Sequence, residues 1–142
     1  MKKHRTVSKV VCSLFALVTV ATAGMITAGA AGNISDSTLE LNINYLQSTD
    51  YTPIRNKLDS TSTYMRVDDK SGAIITRVVG SNQEDISSFV DCSRGHIYPA
   101  NLGVTYMINY VYENGYTWAA IRGDQSSTSN AGVTGVWSPD SV

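Results

Sequence analysis

The chain has 142 residues, 11 Lys+Arg, 12 Asp+Glu and 2 His, with 42% apolar and 16% charged residues. That is too apolar for a disordered chain and too short for more than one ordinary domain. The net charge of −1 conceals an asymmetry, because Lys2, Lys3, Arg5 and Lys9 form a basic head.

Residues 10–23 then run without a charge and are mostly apolar, and Ala28-Gly29-Ala30 puts small residues at the −3 and −1 positions of a cut after Ala30. This is the form of a secretory signal peptide over residues 1–30. The alternative is a retained anchor, since the uncharged run extends far enough to cross a bilayer. Its second half is Ala, Gly and Thr, which insert weakly, so cleavage is expected. Cys12 lies inside the apolar run behind Val11, where a lipoprotein site would need it after the run. With no apolar tail before Val142, the expected product is secreted and has no stable membrane anchor.

The expected secreted domain, residues 31–142, keeps seven bases (Arg55, Lys57, Arg66, Lys70, Arg77, Arg94 and Arg122) against all 12 acids, a net charge of −5. Phosphate backbones and anionic lipid repel such a surface, so nucleic acid is a poor partner. Cys92 is the one cysteine of that domain, which excludes an internal disulfide. About 110 residues can hold a core without one.

Period two runs through nearly all of it. Leu39, Leu41, Ile43 and Tyr45 alternate with Glu40, Asn42 and Asn44 and predict a half-buried strand. Residues 47–52 read as a loop, 54–58 as a short strand, Asp59-Ser60 as a turn and 61–67 as a strand. Residues 68–72 read as a turn ending in Gly, 73–79 as a β-branched strand, 80–85 as a polar loop and 86–92 as a further strand. Residues 104–112 and 117–121 flank Asn114-Gly115, which predicts a two-residue type I′ hairpin with Tyr112 across from Thr117 and Val111 across from Trp118. A polar loop over 123–130, a last strand over 131–137 and Pro139 complete the chain. The expectation is a single antiparallel β-sandwich of about seven or eight strands.

Few residues carry chemistry. Cys92 and His96 are spaced so that a thiol and an imidazole could meet as nucleophile and base, with Arg94 to lower the thiol pKa. No motif supplies an oxyanion hole, and the plainer reading is a core thiol and a loop histidine. Two Cys/His residues cannot make a structural zinc site. Asp68-Asp69 and Glu84-Asp85 could bind calcium in loops, but adjacent residues on an extended chain point opposite ways. No spacing singles out a glycosidase pair among the acids. Arg122-Gly123-Asp124 is the tripeptide that integrins read, and it also reads as a turn with a permissive glycine. No catalytic residue, metal or cofactor is therefore expected. Tyr106, Tyr110, Tyr112, Tyr116, Trp118 and Trp137 crowd the C-terminal third, where alternation sends at least half of them into a core. Tyr110, Tyr112, Trp118 and Trp137 are the candidate ligand-binding residues, as rings that could stack on sugar.

The segment Tyr116-Thr117-Trp118-Ala119-Ala120, a Ser/Asn loop, and Gly132-Val133-Thr134-Gly135-Val136-Trp137-Ser138-Pro139-Asp140-Ser141 resembles a small secreted protein family of Gram-positive Firmicutes. Tyr51-Thr52-Pro53-Ile54-Arg55 and residues 62–67 match its first half. Gly135-Val136-Trp137 is also similar to a step in lactococcin-type bacteriocins, secreted β-sandwiches that act on cell-wall precursors. The resemblance implies export beside bacteriocin-type systems. The functional expectation is a secreted, non-enzymatic, bacteriocin-like protein acting on the cell envelope, with wall precursor or glycan as partner. The alternative is an extracellular module that binds glycan or host protein.

Overall fold

The computed structural model describes residues 32–142; the expected leader and its cleavage point lie outside the described residues. In chain order the strands are β1 (Ser37–Ile43), β2 (Thr49–Tyr51), β3 (Arg55–Asn56), β4 (Thr63–Ser71), β5 (Ile74–Ser81), β6 (Val90–Asp91), β7 (Tyr98–Pro99), β8 (Gly103–Met107), β9 (Trp118–Gln125) and β10 (Ala131–Ser138). Among the described residues the one helical element is a 3₁₀ turn at Ile86–Ser88.

The side-chain alternation read in the sequence sets the layers. Leu39, Leu41 and Ile43 of β1 are buried while Glu40 and Asn42 face water. Thr63, Met65 and Val67 of β4, Met107 of β8, and Ala131, Val133 and Trp137 of β10 turn inward with them. These strands form one antiparallel sheet in the order β1-β10-β4-β8. The other sheet runs β2-β9-β5-β6, with β3 also on β9 and β7 also on β5. Its inward residues Ile74, Val78, Ala119 and Ile121 join one core with those of the first sheet, and Cys92, Ala100 and Val111 fill in from the connections. The fold is all-β, two antiparallel sheets, as alternation predicts. The strand count exceeds expectation because β2, a three-residue piece on β9, forms within the expected 47–52 loop, and β7 is a two-residue piece on the flank of β5.

Several stretches differ from their sequence reading. The Asn114-Gly115 hairpin does not form. β8 pairs with β4, with Tyr64 across from Tyr106, whereas β9 lies in the other sheet between β5 and β2. The cause is Asn109, a polar residue on the inward side of the run. Its buried amide donates to Thr63 Oγ1 at 3.2 Å and Met107 O at 3.3 Å, and its Oδ1 accepts from Val111 N at 3.3 Å. The strand ends there, and Val111 drops into the core. Asn114 and Gly115 still make a turn, closed by Asn114 N–H to Tyr110 O and Gly115 N–H to Tyr112 O, with Gly115 at φ +78.

Residues 49–51 of the expected 47–52 loop form β2 on β9, and the remaining differences are changes of extent. Residues 68–71 continue β4 instead of turning, residues 123–125 continue β9, and residues 86–92 split into the 3₁₀ turn and β6. Asp68 is the extra residue of a β-bulge, because Thr134 pairs with Asp69 and Gly135 with Val67. At that bulge the backbones approach so closely that a Cβ on Gly135 would fall on the carbonyl oxygen of Arg66. Gly135→Ala is therefore expected to destabilise the protein by about 1–3 kcal/mol through overpacking. The check is a lower urea midpoint with an unchanged slope.

Candidate functional site

The register brings an exposed tyrosine, Tyr106, against a half-buried one, Tyr64. Tyr64 of β4 and Tyr106 of β8 are direct cross-strand partners, their ring centroids 5.8 Å apart and inclined at 59°. Ser138 of β10 is the next residue across the same sheet. Beyond it the chain bends at Pro139-Asp140, and a groove of about 230 Å³ opens between the tyrosines and this C-terminal segment. Ile34, Asp36, Ser141 and Val142 complete its walls, and Asp140 lies beneath.

The floor is held by a buried ion pair. Lys57 Nζ lies 2.7 Å from Asp140 Oδ1, and neither side chain is reached by solvent. The ammonium also donates to Pro139 O at 2.8 Å and to Thr61 O, so all three of its donors are used. Asp140 Oδ2 accepts from Asn33 N at 2.5 Å and Leu58 N at 3.1 Å. The Asp140 carboxylate is thus consumed within the fold. Asp59 stands at the edge of this cluster, 3.9 Å from Lys57 Nζ. Burial pushes its carboxyl up, but hydrogen bonds from the Thr61 hydroxyl and amide, aided by Asp140 and Lys57, outweigh burial and hold it below the usual range. A carboxyl depressed in the folded state adds stability above its unfolded pKa of about 4 and loses it as pH falls through the native value.

The groove itself offers two tyrosine side chains, the exposed carboxylate of Asp36, and the polar edge of Ser141 beside Ile34 and Val142. Apolar walls with a few fixed polar groups suit a small amphipathic ligand. Each tyrosine adds a hydroxyl that can donate or accept.

The residues singled out from sequence fall elsewhere. Trp137 has no exposed surface and belongs to the core, so it cannot stack on a ligand. Trp118 is half-buried at the start of β9, opposite Ser81 and Asn56 in the other sheet. Tyr110 lies under the Arg94 guanidinium, 4.0 Å from ring centroid to Cζ, and Tyr112 is half exposed in the β8–β9 connection. Tyr64 was not among the candidates and Tyr106 was weighed only within the aromatic group; the alternation of Tyr64 with Thr63 and Met65 is the signal that puts its ring outside.

Cys92 and His96 do not form a working pair. The thiol is buried, against Val90 O at 3.5 Å and Asn114 Nδ2 at 3.9 Å, while His96 is exposed. Burial pushes the thiol pKa up and Asp91 adds to it, the reverse of an activated nucleophile. Arg122-Gly123-Asp124 lies within paired β9 instead of on a loop. Arg122 bonds Asp124 of the same tripeptide at 2.8 Å, and Asp124 also receives Thr49 Oγ1 at 3.0 Å and faces Arg77 Nε at 3.1 Å. Neither charge is free for display. Asp68 is paired with Arg66 at 2.9 Å, and Asp85 caps the 3₁₀ turn through Ser87 N. Among the described residues no three His, Cys, Asp or Glu side chains converge as a metal site, and no helix is long and apolar enough to cross a membrane.

These features define a small all-β sandwich with a surface groove. Residues 26–141 match the model of a protein family described as a protein of unknown function (DUF2712), and the chain belongs to that family. No curated protein and no solved structure matches it.

Two outcomes follow from this geometry. Asp140→Asn should destabilise the fold by about 3–5 kcal/mol, because it leaves the Lys57 ammonium buried without its counter-charge; equilibrium denaturation measures it. Cys92 should resist a thiol reagent in native buffer and react stoichiometrically in denaturant, with the rate tracking unfolding.

Proposed function

We propose that this protein is a secreted, non-enzymatic binding protein that recognises saccharide at the bacterial cell envelope through the Tyr64–Tyr106 groove. The observation that carries the reading is the tyrosine pair, Tyr106 exposed and Tyr64 half-buried, set beside Asp36 and Ser141 over a neutralised floor. A pyranose ring has an apolar C–H face and a rim of hydroxyls. The first matches a tyrosine face, and the second matches a carboxylate and the serine edge. The groove's volume of about 230 Å³ suits a short saccharide unit better than a polypeptide segment.

The non-enzymatic part rests on the same groups. Glycoside hydrolysis ordinarily needs two carboxyls facing the bond. Asp36 is one, but Asp140 is turned to Lys57, Asn33 and Leu58. Bacteriocin-like action would follow if the saccharide belongs to a wall precursor. Support for that comes from the groove and not from Gly135-Val136-Trp137, whose glycine serves the bulge and whose tryptophan serves the core. The export signal at residues 1–30 is the ground for secretion.

The test is retention on purified peptidoglycan and on neutral polysaccharide gels. Tyr106→Ala and Tyr64→Ala should each weaken binding by about tenfold or more with little change in melting temperature, whereas Trp118→Ala should leave it unchanged. Failure of the wild type to bind any polysaccharide, or tyrosine variants that bind like wild type, would overturn the reading. Growth inhibition of related Gram-positive cells separates antibacterial action from simple adhesion.

A further inference from the structure

A sheet edge can acquire another strand, because its outer N–H and C=O groups lack a partner within the sheet. The edges of this sandwich are unequally guarded. Along β1 the carboxylate of Asp50 takes the Asn42 N–H at 2.7 Å, and Glu40 stands exposed on that strand. In the other sheet β3, β6 and β7 are two residues long, and β2 carries Asp50 within its three. β8 differs. Among the described strands it ends the first sheet and pairs only with β4, and it consists of Gly103-Val104-Thr105-Tyr106-Met107, without charge or proline. Its register with β4 is unbroken.

Apolar surface gathers there. Val104 and Tyr106 are 52% and 53% exposed, and Leu102 and Ile108, at 65% and 44%, flank the strand. The strand and its flanks carry no charge of their own, since residues 95–112 contain no Asp, Glu, Lys or Arg; on the neighbouring β4 the Arg66 across from Val104 is neutralised by Asp68. The described chain otherwise carries 12 acids against seven bases, so two copies repel one another over most of their surfaces. The β8 edge is where a second copy can approach without bringing like charges together.

We infer that β8 pairs antiparallel with β8 of a second copy about a twofold axis through Thr105. In that register Val104 lies across from Tyr106 of the second copy, Tyr106 across from its Val104, and Gly103 across from its Met107. A branched aliphatic facing an aromatic ring is a favourable cross-strand pair, and the symmetric contact presents the same patch from both sides. The two four-stranded sheets become one continuous sheet. The contact is small, so the dimer forms reversibly and its population rises with concentration. This inference goes beyond the saccharide reading; the two share Tyr106, and sedimentation without saccharide tests the pairing apart from the groove.

Sedimentation equilibrium tests it, on the purified protein as its own host processes it, from about 1 µM to about 500 µM. The wild type should pass from monomer to dimer, and Val104→Lys should remain monomeric throughout, because an edge lysine blocks strand addition. Glu40→Lys on β1 should dimerise like wild type. In the wild type, amides of residues 103–107 should gain hydrogen-exchange protection with concentration while those of β1 do not. That measurement keeps the proposal testable if Val104→Lys folds poorly. A wild type monomeric at the highest concentration, a folded Val104→Lys variant that still dimerises, or protection confined to another edge would overturn it.

Discussion

One buried ion pair ties the end of β3, in one sheet, to the paired ends of β1 and β10 in the other. Lys57 follows β3, Asp140 follows β10, and Asn33, whose amide completes the carboxylate's shell, precedes β1. An ammonium taken out of water is tolerable only when every donor finds an acceptor, and Lys57 reaches three, on Thr61, Pro139 and Asp140. Such a pair need not outperform a well-packed apolar replacement, but losing one member leaves an uncompensated charge in the interior. The groove inherits this constraint. Its floor cannot shift without uncoupling Lys57, so the tyrosine platform and the C-terminal segment keep a fixed separation.

Where alternation was uninterrupted, it revealed the fold. β1, β5 and β10 occupy essentially their expected places, because one face of each must be buried and a one-residue slip would expose it. The alternation even holds the evidence against Trp137 as a surface residue, since it shares its side of β10 with buried Val133. Asn109 was the informative exception. A polar residue on the same side as Met107 and Val111 marks where backbone pairing stops and a side-chain amide takes over. The strong local preference of Asn-Gly for a hairpin yielded to that longer-range arrangement. Lys57 could not be foreseen, because its counter-charge is 83 residues away and nothing local distinguishes it from a solvated lysine. The Tyr64–Tyr106 partnership is equally nonlocal and depends on which sheet receives β8.

Short motifs took their meaning from register. Arg122 and Asp124 share one side of β9, so they neutralise each other, and Arg77 from β5 arrives opposite Arg122 to complete the cluster with Asp91. The same strand geometry that made the tripeptide conspicuous in the sequence removes it from display. Cys92 follows the same logic in the core, packed beside the Val111 that enters after Asn109 and held as a small apolar group. Charge is thus paired across the outer face of the second sheet, while uncharged aromatic and aliphatic surface collects along the β8 side of the first.

The position of β10 constrains how the molecule is born. It is the last strand of the described chain, yet it lies between β1, the first, and β4. A ribosome delivers β1 long before the only strand that can pair with it in that sheet. The nascent polypeptide therefore cannot close its first layer until its final segment has emerged, and the slow, nonlocal zippering of such a topology extends the delay.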